Sequence, residues 1–352
     1  MNRAFWQGKR VFLTGHTGFK GGWLALWLAD MGAEVHGYAL KSPTEPNFLA
    51  ICNLRSRIKT SNIADIRDAT ALSAAIRAAQ PEIVLHLAAQ SLVRYSYEAP
   101  IETFSVNVMG TANLLEIVRH TPAVKAVVNV TTDKCYENRE WVWPYRETEA
   151  MGGHDPYSSS KGCSELVTAA YRRSFMESAG IHLASARAGN VIGGGDWAAD
   201  RLIPDFLRAL DAGQTLTIRS PRATRPWQHV LEPLSGYLTL AEKLYTDGAD
   251  FAEAWNFGPE ESDARPVQWI VEHLCGQVPG STWHCDASPQ PHEANYLKLD
   301  SSKAKARLGW HPRWNIALAL SNTLAWYNAW KSGKDMAETS LAQIREYEAV
   351  ER

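Results

Sequence analysis

A glycine-rich turn near the start of the chain constrains the fold more than any other feature. The apolar stretch 9–15 predicts a strand, and it leads directly into the turn TGHTGFKGG at 14–22, which opens a helical pattern. Glycine at positions 15, 18 and 21 permits a tight turn and lets backbone N–H groups approach a bound anion. A strand, this turn and a helix in that order predict a site for the diphosphate of a dinucleotide.

Apolar segments of strand length alternate with helical patterns through the first half of the chain. They predict strands at 9–15, 34–40, 57–66, 82–89, 126–133 and 182–190, and helices at 20–31, 69–79, 100–119 and 156–179. Strands that are apolar on both faces and alternate with helices form parallel sheets covered on both sides. We therefore predict an α/β fold with a doubly wound parallel sheet of the Rossmann type, whose ligands bind at the carboxyl edge of the strands.

The second half of the chain has a different rhythm, with more Gly, Pro, Arg and Trp. We predict a dinucleotide-binding domain over 1–190, with returning elements near 232–258, including a helix at 232–246 and a strand at 254–258. A smaller C-terminal substrate-binding lobe is predicted over 191–335. A peripheral C-terminal helix is predicted within 336–352.

Composition narrows the possible partners and location. Of the 352 residues, 45% are hydrophobic and 21% are charged, which is typical of a globular protein. Lys plus Arg (36) nearly balances Asp plus Glu (38), so no nucleic-acid partner is expected. The chain shows neither a signal-like start nor a stretch of about 18 apolar residues, so we expect no membrane association. The five cysteines are scattered, without a CxxC pair, and predict a cytoplasmic protein with no metal site.

A second motif carries the chemistry. Tyr157 and Lys161 stand four residues apart at the start of a predicted helix and therefore share one face. A neighbouring ammonium, together with a cofactor's positive charge, lowers a tyrosine's pKa, so that the phenolate can take a proton from a substrate hydroxyl. The fifth predicted strand ends in Thr131-Thr132-Asp133-Lys134, where the hydroxyl of Thr132 is expected to bind the same substrate oxygen.

In their order along the chain, these motifs resemble the nucleotide-sugar branch of the extended short-chain dehydrogenase/reductase superfamily. The resemblance rests on GxxGxxG at 15–21, Asp65-Ile66, Leu87-Ala88-Ala89-Gln90, the threonine at strand five and YxxxK at 157–161. It implies NAD as cofactor and a nucleotide-activated sugar as substrate. It also implies a homodimer or higher homo-oligomer, paired through the helices near 100–119 and 156–179.

The resemblance also implies the cofactor contacts. These are Gly15, His16, Thr17, Gly18, Phe19, Lys20, Asp65, Ile66, Leu87, Ala88, Ala89, Thr131, Tyr157 and Lys161. An acidic residue about 20 positions after the turn usually holds the adenosine ribose of NAD. Here the second strand ends Gly37-Tyr38-Ala39-Leu40-Lys41, without an acid, and Lys41 would suit a 2′-phosphate. The turn alone therefore leaves NAD and NADP open.

Further stretches point to one group within the branch. Its 4,6-dehydratases carry Thr-Asp-Glu where this chain has Thr132-Asp133-Lys134. The segment 131–138, the tryptophan-bearing loop 138–154, GNVIGGGDWAADRLIPD at 189–205 and RATRPWQHV at 222–230 resemble the CDP-glucose 4,6-dehydratases. The implied substrate is CDP-glucose or a related nucleotide-sugar.

The implied reaction assigns a role to each catalytic side chain. Tyr157, with Thr132, takes the proton of the sugar 4-hydroxyl while hydride leaves C4. Asp133 protonates the departing 6-hydroxyl after a base has removed the proton at C5, and the hydride then returns to C6. Lys134 stands where the base is usually a glutamate. It either acts as that base, made neutral by desolvation beside Lys161, or it pairs with Asp133 or binds the substrate's oxygens.

Arginine guanidinium groups suit a diphosphate because their planar fork pairs with two oxygens at once. The predicted substrate contacts are Gln90, Ser91, Arg187, Asn190, Arg201, Arg219, Arg225, His229 and His292. Asn190 and Arg225 have the strongest support from their positions in the family pattern.

Two alternative functions remain open at the level of sequence. One is an epimerase, or a 4,6-dehydratase that acts on another nucleotide-hexose; Asp133-Lys134 favours dehydration over epimerisation. The other is a redox-sensing regulator that keeps the dinucleotide fold without chemistry. The presence of Thr132, Tyr157 and Lys161 argues against a regulator.

Overall fold

A computed structural model describes residues 2–286, 288 and 294–350. The strands are β1 (Arg10–Thr14), β2 (Glu34–Ala39), β3 (Thr60–Ile63), β4 (Ile83–His86), β5 (Ala126–Val130), β6 (His182–Ala188), β7 (Val191–Ile192), β8 (Leu216–Ile218), β9 (Thr224–Pro226), β10 (Gln228–His229), β11 (Ala254–Phe257), β12 (Ala264–Pro266) and β13 (Trp283–Cys285). The helices are α1 (Arg3–Trp6), α2 (Phe19–Asp30), α3 (Phe48–Ile51), α4 (Ala69–Ala79), α5 (Val93–Glu98), α6 (Pro100–Phe104), α7 (Gly110–Val118), α8 (Pro156–Tyr171), α9 (Leu202–Asp211), α10 (Leu231–Thr246), α11 (Val267–Gln277), α12 (Ile316–Lys331) and α13 (Met336–Ala349).

The central sheet has seven strands in the order β3-β2-β1-β4-β5-β6-β11. Every neighbouring pair in it is parallel. The order 3-2-1-4-5-6 is that of a doubly wound dinucleotide-binding fold. The predicted fold class is therefore confirmed.

Burial on both faces of the sheet explains why these segments form parallel strands. Every residue of β4 and β5 is buried. One apolar layer, containing Trp23 and Leu238, covers one face, and a second layer, containing Leu72 and Leu114, covers the other. The helices of both layers bring the carboxyl ends of the strands to a single edge, as the alternating pattern predicts.

Some predicted boundaries shift for local reasons. The predicted helix 100–119 is α6 and α7 joined by the π-helical turn Ser105–Met109. The helix predicted at 156–179 starts as expected, but its α-helical part ends at Tyr171 and the π-helical turn Arg172–Met176 follows. The strand predicted at 57–66 is only β3, which lies at the edge of the sheet and is partly exposed.

The second half of the chain builds three two-stranded sheets, β7 with β10, β9 with β12, and β8 with β13. As predicted, the chain also returns to the main body, where β11 joins the central sheet and α10 packs in its core. The terminal helix requires a correction. It is not peripheral, because Leu341, Ile344 and Tyr347 of α13 are at most 3% exposed and pack in the main core.

Three observations on the described residues bear on possible partners. None of their helices combines the length and apolar character needed to cross a membrane. The five cysteines are free thiols. Within the same residues, no group of three His, Cys, Asp or Glu side chains is arranged to hold a metal ion.

Candidate active site

A cavity of about 590 Å³ lies at the carboxyl edge of the central sheet. Its walls combine the glycine turn, the ends of β4 and β5, the start of α8, and lobe residues from α9, β8 and β9. The predicted site residues that line it are Gly15, Thr17, Gly18, Phe19, Lys20, Asp65, Ile66, Leu87, Ala88, Ala89, Ser91, Thr131, Thr132, Asp133, Lys134, Tyr157, Lys161, Asn190, Arg201, Arg219 and Arg225. The fold thus gathers side chains from distant parts of the sequence around one space.

The glycine turn leaves room that no other residue would leave. Gly15 has φ +81°, and a Cβ atom there would lie 2.8 Å from the backbone nitrogen of Ala88. A Cβ atom at Gly21 would lie 2.1 Å from the carbonyl oxygen of Gly15. Gly18 is the N-cap of α2, so the first N–H groups of that helix face the turn. This cradle, at the positive end of a helix, fits the diphosphate of a dinucleotide.

The ribose end of the cavity lacks the usual acid, as the sequence indicates. Leu40, Lys41 and Ser42 line it where the second strand ends. The Thr17 hydroxyl donates to the carbonyl of Leu40 over 2.9 Å, which ties this segment to the glycine turn. The Asp65 carboxylate pairs with Arg67, and the hydrogen bond from that guanidinium lowers the pKa of Asp65.

The cap of α8 sets the position of the Tyr–Lys pair. The carboxylate of Asp155 accepts the backbone N–H of Ser158 over 2.9 Å, and Pro156 occupies the first turn, where its missing N–H costs nothing. Tyr157 and Lys161 then project from successive turns. The Lys161 ammonium donates to the carbonyl of Val130, at the end of β5, over 3.1 Å.

Burial dominates the electrostatics of this pair. It raises the pKa of Tyr157 to about 12, against the lowering effects of a hydrogen bond with Thr132 and the charge of Arg201. Burial also lowers the pKa of Lys161 to about 8. The sequence led us to expect a lowered tyrosine pKa. The protein's own groups give the opposite direction, because desolvation of the phenolate outweighs its favourable neighbours.

Asp133 is the one carboxylic acid among the predicted catalytic residues Thr132, Asp133, Lys134, Tyr157 and Lys161, which we call the catalytic cluster. It is 2% exposed; its Oδ1 accepts from the Thr132 hydroxyl over 2.9 Å, and its Oδ2 has no hydrogen-bond partner among the described residues. Burial raises its pKa, with the charge of Lys134 acting in the opposite sense. A carboxyl group in this setting is suited to hold and deliver a proton.

Lys20 extends the charge of this region. Burial lowers its pKa to about 8; the charges of Arg201 and Lys161 act in the same direction, and those of Asp133 and Asp196 act in the opposite direction. Its ammonium therefore interacts with the catalytic cluster as well as with the glycine turn on which the sequence places it.

A buried acid behind the cluster was missed by sequence reasoning. The Glu165 carboxylate accepts from the hydroxyls of Thr131 over 2.5 Å and Ser185 over 2.7 Å, and pairs with Arg187 over 2.8 Å. Glu165 follows Lys161 by four residues on α8, and this i, i+4 spacing is the signal that would have found it.

Arg187 therefore needs a correction. It is only 4% exposed, its guanidinium pairs with Glu165 and donates to the Tyr136 hydroxyl, and it is absent from the cavity wall. The reason is that a guanidinium beneath the sheet edge must be neutralised there, and Glu165 does so. The structure does not bring Arg187 to a substrate.

His16 and Gln90 are also absent from the cavity wall. The His16 ring bonds the Ser61 hydroxyl over 2.8 Å and packs so closely on Gly37 that a Cβ atom there would lie 2.5 Å from the ring. The Gln90 amide instead donates to Thr103 over 2.9 Å. Both side chains therefore bond to other parts of the protein, and the predicted contacts of His16 with the cofactor and of Gln90 with the substrate stay predictions.

His229 is fully buried, with its ring 4.8 Å from that of Trp314, and it too is absent from the cavity wall. It precedes α10 and packs in the core, which explains why it does not reach a ligand. His292 lies outside the described residues.

The lobe supplies arginines that are already paired. Arg201 pairs with Asp196 over 2.8 Å and donates to the Ser91 hydroxyl over 3.2 Å. Arg219 pairs with Asp200 over 3.0 Å. Asp196 was missed from the sequence, since nothing local marks an acid five residues before an arginine as its partner.

The fold places the chain in the class of Rossmann-type α/β proteins with a cavity at the carboxyl edge of the sheet. The family model described as GDP-mannose 4,6 dehydratase then matches residues 12–323. The chain belongs to this family.

Known proteins narrow the likeness further. The chain is 57% identical, over 99% of its length and 98% of the relative, to a CDP-glucose 4,6-dehydratase of Salmonella typhimurium. It is 26% identical, over 90% of its length and 92% of the relative, to a dTDP-glucose 4,6-dehydratase of Xanthomonas campestris. A dTDP-glucose 4,6-dehydratase of Streptomyces venezuelae, solved with NAD, matches with TM-score 0.74 and 25% identity over 93% of this chain and 99% of that one. A UDP-glucose 4-epimerase of Thermotoga maritima matches in fold, with TM-score 0.77 and 22% identity over 91% and 99%.

Proposed function

We propose that the chain is an NAD-dependent CDP-glucose 4,6-dehydratase that forms CDP-4-keto-6-deoxyglucose and water. The observation that carries the proposal is the meeting of the glycine cradle and the catalytic cluster in one cavity. The 57% identity over nearly the whole chain supports CDP-glucose as the substrate. Such a product belongs to deoxysugar biosynthesis.

Residues of the glycine turn and the strand ends would hold the cofactor. Gly15 and Gly18 give backbone access to the diphosphate, and Leu87 and Ala88 border the same space. NAD, when bound, supplies a site that accepts hydride and gives it back. We propose NAD rather than NADP on family grounds, and competition between the two cofactors in a binding titration tests this choice.

Tyr157 begins the reaction by taking the proton of the sugar 4-hydroxyl. Its pKa of about 12 in the protein must fall for this role, and the positive charge of an oxidised nicotinamide acts in that direction. Thr132 shares a hydrogen bond with Tyr157 and lies at the same place, so it can orient the 4-hydroxyl. Lys161, held against Val130, keeps a second positive charge on the same face of α8 as Tyr157.

Elimination needs an acid and a base on the side of β5. Asp133 has a raised pKa and an oxygen without a protein partner among the described residues, so it would protonate the departing 6-hydroxyl. Lys134 lines the cavity beside it and takes the proposed role of C5 base. The other role, in which Lys134 pairs with Asp133 or binds the substrate's oxygens, is also compatible with its position. Lys134→Glu separates the two, because a glutamate restores a base but not a cation.

We further propose a division into a dinucleotide-binding domain over 1–190 with returning elements at 232–258, and a substrate-binding lobe over 191–335. A homodimer formed through α6, α7 and α8 accords with the exposed apolar side chains of Ile101 and Leu166, which are 81% and 60% exposed. Light scattering after size exclusion measures the oligomer. Five free cysteines accord with a cytoplasmic location.

A nucleotide-sugar panel tests the proposed function. Purified protein is incubated with NAD and the CDP-, dTDP-, UDP- or GDP-linked hexose, and products are followed by mass. The proposal expects CDP-glucose to lose one water with no net NADH. A change of configuration at unchanged mass would support an epimerase instead, and cofactor binding without any turnover would support a regulator.

A further inference from the structure

The lobe forms one part of the cavity wall, and three of its residues contribute a carboxylate, a hydroxyl and a guanidinium group. Asp205 lies in the first turn of α9, Thr217 is the middle residue of β8, and Arg219 follows that strand. Under the proposed function the dinucleotide occupies the glycine cradle, so the nucleoside of the substrate lies against this wall. We call these three residues the nucleotide wall.

Among the described residues β8 pairs only with β13, so its other edge has no strand partner there. Leu216 donates its N–H to Thr282 over 2.9 Å, and Ile218 accepts from Asp286 over 2.8 Å, so both residues point their backbone groups towards β13. Backbone groups alternate in direction along a strand, so the N–H and C=O of Thr217 point away from β13. The N–H of Thr217 is a donor and its C=O an acceptor, and every pyrimidine base has both kinds of group on its edge. The backbone of β8 therefore does not discriminate among pyrimidines.

Asp205 adds an element that does choose. Its Oδ1 pairs with the guanidinium of Arg208, one turn along α9, and no other hydrogen bond of this side chain occurs within the described residues. Its side chain is 34% exposed and lines the cavity, so the carboxylate is available to a ligand. An ionised carboxylate accepts hydrogen bonds and donates none.

We propose that Asp205 selects cytosine, by accepting a hydrogen bond from the exocyclic amino group of the base. Uracil and thymine carry a carbonyl oxygen at the same ring position, so two acceptors would face each other there. Buried polar groups without a matching partner strongly reduce the affinity for the mismatched base, so such a site rejects a close analogue. This inference rests on the proposed function and names the residue that sets its nucleotide preference.

The test replaces Asp205 by Asn, which keeps the shape and can donate to a carbonyl. The ratio of kcat/KM for CDP-glucose to kcat/KM for UDP-glucose is expected to fall about 10- to 100-fold. Asp211→Asn is the matched control, since Asp211 ends the same helix, pairs with Lys331 over 2.9 Å and is absent from the cavity wall. It should leave the ratio unchanged.

Calorimetric binding of CDP and UDP to the same proteins gives a second measure that needs no turnover. The inference is supported if the wild type binds CDP more tightly than UDP and Asp205→Asn loses this selectivity. If the wild type shows this selectivity but does not dehydrate CDP-glucose, only the proposed function fails. An unchanged CDP-to-UDP affinity ratio in Asp205→Asn would overturn the inference, even if the wild type dehydrates CDP-glucose.

Discussion

The two halves of the cavity are built on different principles. In the half formed by the glycine turn, β5 and α8, backbone geometry and burial fix the reactive groups: Gly15 sits at φ +81°, and Lys161 is held against Val130. In the half formed by the lobe, charged side chains neutralise each other, as Arg201 does with Asp196 and Arg219 with Asp200.

This difference suits the first half of the cavity to the chemical step and the lobe to substrate binding. Groups fixed by a buried sheet are in place before a substrate arrives, which lowers the cost of reaching the transition state. Arginines paired with carboxylates are held in fixed positions by those partners, so they meet the anionic groups of a ligand already oriented and affect binding rather than the chemical step. Substitutions in the first half should therefore act on kcat, and substitutions in the lobe on KM.

The largest expected effect is at Tyr157. Tyr157→Phe removes the group proposed to take the 4-hydroxyl proton, and kcat should fall about 1000-fold or more. Cofactor affinity, measured by titration, should stay within a few-fold of wild type because the glycine cradle is untouched. A variant with more than a tenth of wild-type kcat would show that another group takes the proton.

The buried ion pair between Arg187 and Glu165 should act on stability and not on substrate binding. Arg187→Met leaves the buried Glu165 without its cation, and the free energy of unfolding should fall by about 3–5 kcal/mol. The double variant Glu165→Leu/Arg187→Met should recover much of that loss. Denaturant unfolding measures both. The folded fraction of Arg187→Met should have the KM of the wild type for the sugar nucleotide. A large rise in KM at unchanged stability would show that Arg187 binds the substrate.

Glu232 provides a comparison outside both halves. It is fully buried in α10, where it accepts from the Tyr347 hydroxyl over 2.7 Å and the Trp314 N–H over 2.7 Å, and burial raises its pKa from 4.5 to about 7. A raised folded pKa gives stability that is complete below about pH 4.5 and is lost as pH rises through about 7. Relative to Glu232→Gln, the wild type should lose about 3 kcal/mol of unfolding free energy between pH 4.5 and 8. Thermal unfolding across this range measures it; a wild type that keeps or gains stability relative to Glu232→Gln as pH rises would contradict the burial effect.

The smallest expected effect lies in the lobe. Asp196→Asn frees Arg201 from its ion pair, and the guanidinium loses its fixed position across from Ser91. We expect KM to rise about 5- to 10-fold, as for the net loss of one typical hydrogen bond, with kcat nearly unchanged. Initial rates over a substrate range separate the two constants. A fall in kcat with constant KM would place Asp196 with the chemistry instead.

The two halves also differed in how well sequence predicted them. The glycine turn, the Tyr157–Lys161 pair and the end of β5 are contiguous motifs, and local spacing with strand and helix periodicity predicts them. All of them line the cavity. A parallel sheet brings the carboxyl ends of its strands to one edge, so the fold class predicts that these motifs lie close together.

Sequence failed where partners come from separate elements. Arg187 and His229 have the residue types of ligand contacts, but tertiary packing buries one against Glu165 and the other against Trp314. The helix α9, which carries Asp205, was not predicted, because the glycine- and tryptophan-rich run before it hides the helical pattern. No local pattern records which acid neutralises which arginine.

The central claim is that hydride leaves C4 and returns to C6 of the same molecule within one turnover. CDP-glucose labelled with deuterium at C4 tests it directly, with product analysed by mass and by proton NMR. The account predicts loss of one water and deuterium retained in the C6 methyl group, with no labelled NADH in solution. Deuterium found in free NADH, or a product that keeps its oxygen at C6, would contradict the account.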